Sequence, residues 1–229
     1  MKMIHVINAD FFRWFGKKKL FLSFFTIICL NYFIILQNIQ GFFESNIVDL
    51  IFYYMDDPFY ILNFMIAAVL MGISYCEEKE KGYFIFWIKR CDKKTYVISK
   101  IINCFLSAFF LLTTGMFSWI ISLRIFLPWI NGSSDQFQII TEQGLGYLLK
   151  DGHYLLYYCL YCIGIGMMAG ILSVGTFTLS LFIEKQSMVI LTTAVLFYLN
   201  VSYLGSISAS LDRWSMQCYF GKPTPKMEK

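Results

Sequence analysis

Residues 154–183 read YLLYYCLYCIGIGMMAGILSVGTFTLSLFI, thirty positions without a charged side chain. A helix rises about 1.5 Å per residue, so roughly 20 apolar residues cross the hydrocarbon core of a bilayer. A run of this length in water would expose far more apolar surface than its neighbours could cover. The stretch therefore predicts a membrane-spanning helix, and it sets the fold class: an all-α, polytopic transmembrane helix bundle.

Reading outward from it, four further apolar runs lie at 20–36, 59–76, 95–123 and 188–207, so the sequence predicts five spans. Pro58 opens the second, since proline is tolerated in the first turn of a helix. Arg124, Pro128, Asn131 and Gly132 end the third, and Glu184-Lys185-Gln186 separates the fourth from the fifth. The expected organisation is an amphipathic interfacial helix at 1–19, a transmembrane domain at 20–210 and a polar tail at 211–229. In the first of these, Ile4, Ile7, Phe11, Trp14 and Phe15 share one face and Asn8, Asp10, Arg13 and Lys17 the other, a pattern suited to the bilayer surface. Lys17-Lys18-Lys19 followed by an apolar run has the outline of a signal peptide. No small-x-small cleavage site follows, so residues 20–36 read as a retained first span.

Composition agrees. Of 229 residues, 58% are hydrophobic, 19% aromatic and only 15% charged, with mean hydropathy +0.59. Soluble domains carry about 25% charged residues, so a soluble globule, a disordered chain and a secreted disulfide scaffold are all excluded. The net charge of +4 is read by position, as membrane orientation, and not as a sign of nucleic-acid binding. Residues 1–19 hold five Lys or Arg and the 77–100 block seven, against none in the 37–57 loop, which carries Glu44, Asp49, Asp56 and Asp57, and two in the 124–153 loop. Basic residues stay on the cytoplasmic side. The chain is therefore expected to be a multi-pass protein of the cell membrane with its N-terminus in the cytoplasm. The same count puts the tail outside, against the grain of its Arg213, Lys222, Lys226 and Lys229.

Sites of chemistry are scarce. No G-x-x-x-x-G-K-[ST] phosphate-binding loop is present, so ATP hydrolysis is not expected from this chain alone. The only histidines, His5 and His153, form no metalloprotease motif, and Gly82 stands where a paired-Glu protease motif beginning at Glu77-Glu78 would need arginine. The seven cysteines fall in or beside apolar runs and read as packing residues; Cys159-x-x-Cys162 lacks a second pair to complete a metal site. The middles of the spans carry no ionisable residue, which argues against ion coupling and proton relays. No catalytic residue, metal ligand or resident cofactor is expected. Gly166 and Gly170 match small-xxx-small helix packing.

The most informative polar segment is 77–100. It runs from the charged cluster Glu77-Glu78-Lys79-Glu80-Lys81 through Gly82 to the apolar turn Tyr83-Phe84-Ile85-Phe86-Trp87-Ile88. Lys89-Arg90 and then Ser99-Lys100 follow. The aromatic turn is too short to span a bilayer and too apolar for water, so it predicts docking into a partner or an interface.

This order resembles the cytoplasmic loop between spans two and three of ABC-2 type transporter permeases. The family shows a glutamate, a glycine, a hydrophobic turn, a basic pair and a Ser-Lys opening the third span. The matching positions here are Glu78 or Glu80, Gly82, Tyr83 to Ile88, Lys89-Arg90 and Ser99-Lys100. The N-terminal helix is similar to the family's connecting helix, and Glu184-Lys185-Gln186 to its second cytoplasmic loop; the resemblance covers residues 1 to about 207. It implies that Glu78, Glu80, Gly82, Tyr83, Phe84, Phe86, Trp87, Lys89 and Arg90, in a coupling loop at 77–94, and Glu184 and Lys185 engage a separate ATPase subunit that binds ATP and Mg. It further implies a second permease copy or paralogue and an amphipathic cargo: an antimicrobial peptide, a lipid-linked molecule or a drug. Such permeases have six spans, so the five here read as that fold lacking its last helix. The alternative is a non-transporting membrane subunit for immunity or sensing. An intramembrane enzyme comes third.

Overall fold

Lipid offers no hydrogen-bond partner, so an apolar run closes its own backbone bonds as a helix. The computed structural model describes residues 18–36, 46–57, 59–83, 92–129, 146–183 and 185–202, and every regular element among them is helical. These are α1 (Lys18–Leu36), α2 (Ile47–Asp56), α3 (Tyr60–Gly72), α4 (Ser74–Glu80), α5 (Lys93–Leu123), α6 (Tyr147–Lys150), α7 (Tyr154–Phe182) and α8 (Gln186–Ser202). The surface helix expected over 1–19, except for its last two residues, and the polar tail at 211–229 lie outside the described residues.

Three helices, α1, α5 and α7, are long and apolar enough to cross a membrane. A fourth crossing is formed if α3 and α4, which meet at a 40° bend, count as one span. The bend falls at Ile73, between Gly72 and Ser74, the kind of small-residue pair at which helices kink. Helix α8 is apolar but shorter, and residues 203–207 of the fifth expected span lie outside the described residues.

Helix α7 is the centre of the bundle, packed on α5 and α3. The small residues of its buried face explain the closeness. A Cβ added at Gly166 would meet the Phe109 carbonyl oxygen at 2.9 Å, and one at Gly170 would meet the Phe105 ring at 2.7 Å. On the next helix, a Cβ at Gly72 would meet the Thr176 side chain at 2.6 Å, and the Ser173 hydroxyl donates to the Ala68 carbonyl at 3.2 Å. Helix α1 packs on α5 through Ile27 against Gly115, and Tyr32 and Ser122 share a hydrogen bond.

The 37–57 stretch, expected as an acidic loop, contains α2. Asn46 caps it by accepting from the Asp49 backbone N–H at 2.9 Å, and Ile47, Val48, Leu50, Ile51 and Tyr54 are buried. The Ile47 N–H donates to the Pro128 carbonyl, so α2 lies across the end of the bundle where α5 finishes. The lysines at the starts of α1, α5 and α8 mark the opposite end.

Candidate functional site at the lysine-rich end

Helix α4 carries three consecutive residues that face three different neighbours, because successive side chains on a helix are about 100° apart. The Cys76 thiol donates to the carbonyls of Ile183 at 3.4 Å and Ser180 at 3.7 Å, at the end of α7. Glu77 accepts from the Lys19 ammonium of α1 at 2.9 Å, with Lys81 one turn on at 3.9 Å. Glu78 turns inward to α5.

That inward contact is an ion pair buried on both sides. The Lys100 ammonium lies 2.7 Å from Glu78 Oε1, and the Tyr96 hydroxyl donates to Oε2 at 2.7 Å. The side chains of Lys100 and Glu78 are 0% and 3% exposed. The ammonium also sits 5.6 Å from the centre of the Tyr96 ring. Removing one member of such a pair leaves a buried charge uncompensated, a loss of about 3–5 kcal/mol. The exposed Lys19 pair contributes at most about 1 kcal/mol.

Past Glu80 the helix stops. Lys81 and Gly82 donate back to the carbonyls of Glu77 and Lys79, and Gly82 takes φ +73°, the left-handed conformation that ends helices at glycine. No atom lies within 4 Å of the position its Cβ would take, so backbone conformation alone favours glycine here. Tyr83 follows, 48% exposed. Beside this terminus the chain returns from α7 into α8. Cys76, Lys79, Glu80, Lys185, Gln186, Ser187 and Ile190 line a cleft of about 660 Å³ between the two.

Comparison with known proteins finds no match. No family model, no curated protein and no solved structure is similar to this chain.

Of the residues singled out in the sequence, Glu80 and Lys185 line one cleft, Gly82 and Tyr83 follow the end of α4, and Glu78 is buried against α5. Phe84, Phe86, Trp87, Lys89, Arg90 and Glu184 lie outside the described residues. Gly166 and Gly170 stand apart from this end, at the α7–α5 contact. Among the described residues no three His, Cys, Asp or Glu side chains gather as metal ligands would.

Sequence reasoning missed the partnership of Tyr96 and Lys100. Their i,i+4 spacing was the available signal, since it puts both on one face of α5. It also missed a polar cluster towards the opposite end. There the Asn63 amide donates to Asn31 Oδ1 at 2.7 Å and to the Tyr54 hydroxyl at 2.5 Å, while the Asn31 amide donates to the Met116 sulfur at 3.4 Å. Asn31 and Asn63 are wholly buried, so three helices and α2 are joined by polar contacts inside the apolar core.

Proposed function

We propose that this chain is the membrane-spanning permease subunit of an ABC-2 type exporter. In this reading it lies in the cell membrane with the lysine-rich end in the cytoplasm, and a separate ATP-hydrolysing subunit docks there. One observation carries the reading. Two polar pieces far apart in the chain, Lys79-Glu80 of α4 and residues 185–187, line a common cleft at one end, while α4 is held on three sides by α1, α5 and α7. A surface that receives force must be attached rigidly to the helices it moves. Helix α4 meets that requirement through a buried ion pair.

On this reading α8 belongs to a fifth span completed by residues 203–207, and two copies or paralogues face each other around an amphipathic cargo. Closure of the ATPase pair pushes on the end of α4 and on the turn into α8, and so tilts α3 and α8 against α7. A photo-crosslinking residue placed at Tyr83 and, separately, at Lys185 tests this in native membranes. Both positions are expected to capture one protein that carries a nucleotide-binding P-loop, and a probe at Gly152, at the other end, to capture none. Capture of no ATP-binding protein at either position overturns the assignment.

A further inference from the structure

The buried cluster of Asn31, Asn63 and Tyr54 leaves two polar atoms over. Asn63 spends both amide hydrogens, on Asn31 Oδ1 at 2.7 Å and on the Tyr54 hydroxyl at 2.5 Å, and Tyr54 donates on to the Met116 sulfur at 3.7 Å. Among the described residues nothing donates to Asn63 Oδ1, and nothing accepts from the Trp119 indole Nε1. Both residues are 0% exposed. Both also flank one side chain: Tyr54 is hydrogen-bonded to Asn63 through its hydroxyl and packs its ring 5.0 Å from that of Trp119. Lipid can supply neither bond. Buried polar groups nearly always find a partner, in the protein or in ordered water.

The chemistry of the two atoms fixes the class of partner. Turning the Asn63 amide over does not help, because it brings two carbonyl oxygens, Asn63 Oδ1 and Asn31 Oδ1, to 2.7 Å. A cation would be opposed by the indole N–H, and an anion by the amide carbonyl. One small neutral molecule that donates and accepts at once satisfies both. We infer that a single water molecule is held beneath α2, donating to Asn63 Oδ1 and accepting from Trp119 Nε1. The cluster otherwise reaches α5 at the Met116 thioether, a weak acceptor. The water joins α3 to α5 by two ordinary hydrogen bonds, and so completes a polar tie between α1, α2, α3 and α5. The inference stands whether or not an ATPase subunit docks at the lysine-rich end.

The test uses the full chain in lipid nanodiscs with isotope-labelled tryptophan, the Trp119 indole resonance being assigned by its loss in Trp119→Phe. The indole N–H is expected to show a nuclear Overhauser contact with water, and Asn63→Leu to abolish it. Asn63→Leu also removes the bonds to Asn31 and Tyr54, so a second measurement leaves the cluster intact. Replacing Trp119 by benzothienylalanine keeps the shape of the ring and puts sulfur in place of the N–H. If the N–H is bonded to water, the replacement loses a hydrogen bond and lowers the unfolding midpoint by a few degrees. If it has no partner, the replacement relieves a buried donor, and the midpoint holds or rises. Absence of the indole–water contact in the parent chain overturns the inference. So does a contact that survives in folded Asn63→Leu, or a midpoint that does not fall with benzothienylalanine.

Discussion

Removing the ammonium from Lys100 strands the Glu78 carboxylate in a site that is almost without solvent. Lys100→Met is therefore expected to lower stability by about 3–5 kcal/mol, measured by equilibrium unfolding in mixed micelles, and Glu78→Leu added to it should restore most of the loss. Tyr96→Phe removes one hydrogen bond to a charged acceptor and should cost about 1.5–3 kcal/mol. If the single and double variants are equally unstable, the pair is not the source of the energy. A second residue-scale effect belongs to Asp49. Burial, the largest influence, pushes its carboxyl above the ordinary 3.8, while hydrogen bonds from Asn46 pull it back. The fold thus disfavours the charged form. That penalty is absent below the ordinary value, grows as pH rises through the raised one, and is constant above it. Asp49→Asn should be more stable than the parent at neutral pH, with the advantage vanishing as pH approaches 3.8. An advantage that does not change with pH would rule out the carboxyl as its cause. Lys100 was visible in the sequence only as the start of a span. Its partner lies 22 positions earlier, on a helix beyond a bend, and no local pattern pairs the two.

At the scale of the element, the glycines separate packing from conformation. Gly166→Leu and Gly170→Leu push a side chain into the backbone and ring of α5, and each should destabilise by about 1–3 kcal/mol or more, since a carbonyl cannot step aside. Gly175→Ala, on the same helix and facing open space, should be close to neutral. Unfolding midpoints of the three variants decide it; helix propensity favours all three changes, so a gain at all three would mean that propensity and not close packing governs. Gly166 and Gly170 were legible because their spacing matches the helix repeat. Helix α2 was legible in principle through Ile47, Ile51 and Tyr54, which recur at helical spacing. Glu44, Asp49, Asp56 and Asp57 outweighed them in a reading by charge, which saw a loop. The break at Ile73 had a signal in Gly72 and Ser74, which a reading by hydropathy passes over because an apolar run scores the same whether its helix is straight or bent.

For the whole molecule, the helical fold of the described residues and the three helices long and apolar enough to span follow from the placement of charge. Side chains that cannot enter lipid fall at helix ends, and thirty uncharged positions leave α7 no other course. The way the ends associate was not legible, because interhelical contacts join residues from distant spans. That arrangement makes a prediction about sidedness. Helices α5 and α7 run in opposite directions, each long enough to cross once, so the cleft at Ser187 and the turn at Gly152 must lie on opposite faces of the membrane. In a background with all cysteines replaced, Gly82→Cys and Ser187→Cys should react with an impermeant maleimide only in inverted vesicles. Asp57→Cys and Gly152→Cys should react only in intact cells. Reaction of Ser187→Cys and Gly152→Cys from the same side would mean that α7 does not cross. Opposite sidedness with the two pairs exchanged would keep the fold and reverse its orientation, placing the lysines outside and removing the surface at which a cytoplasmic ATPase could dock.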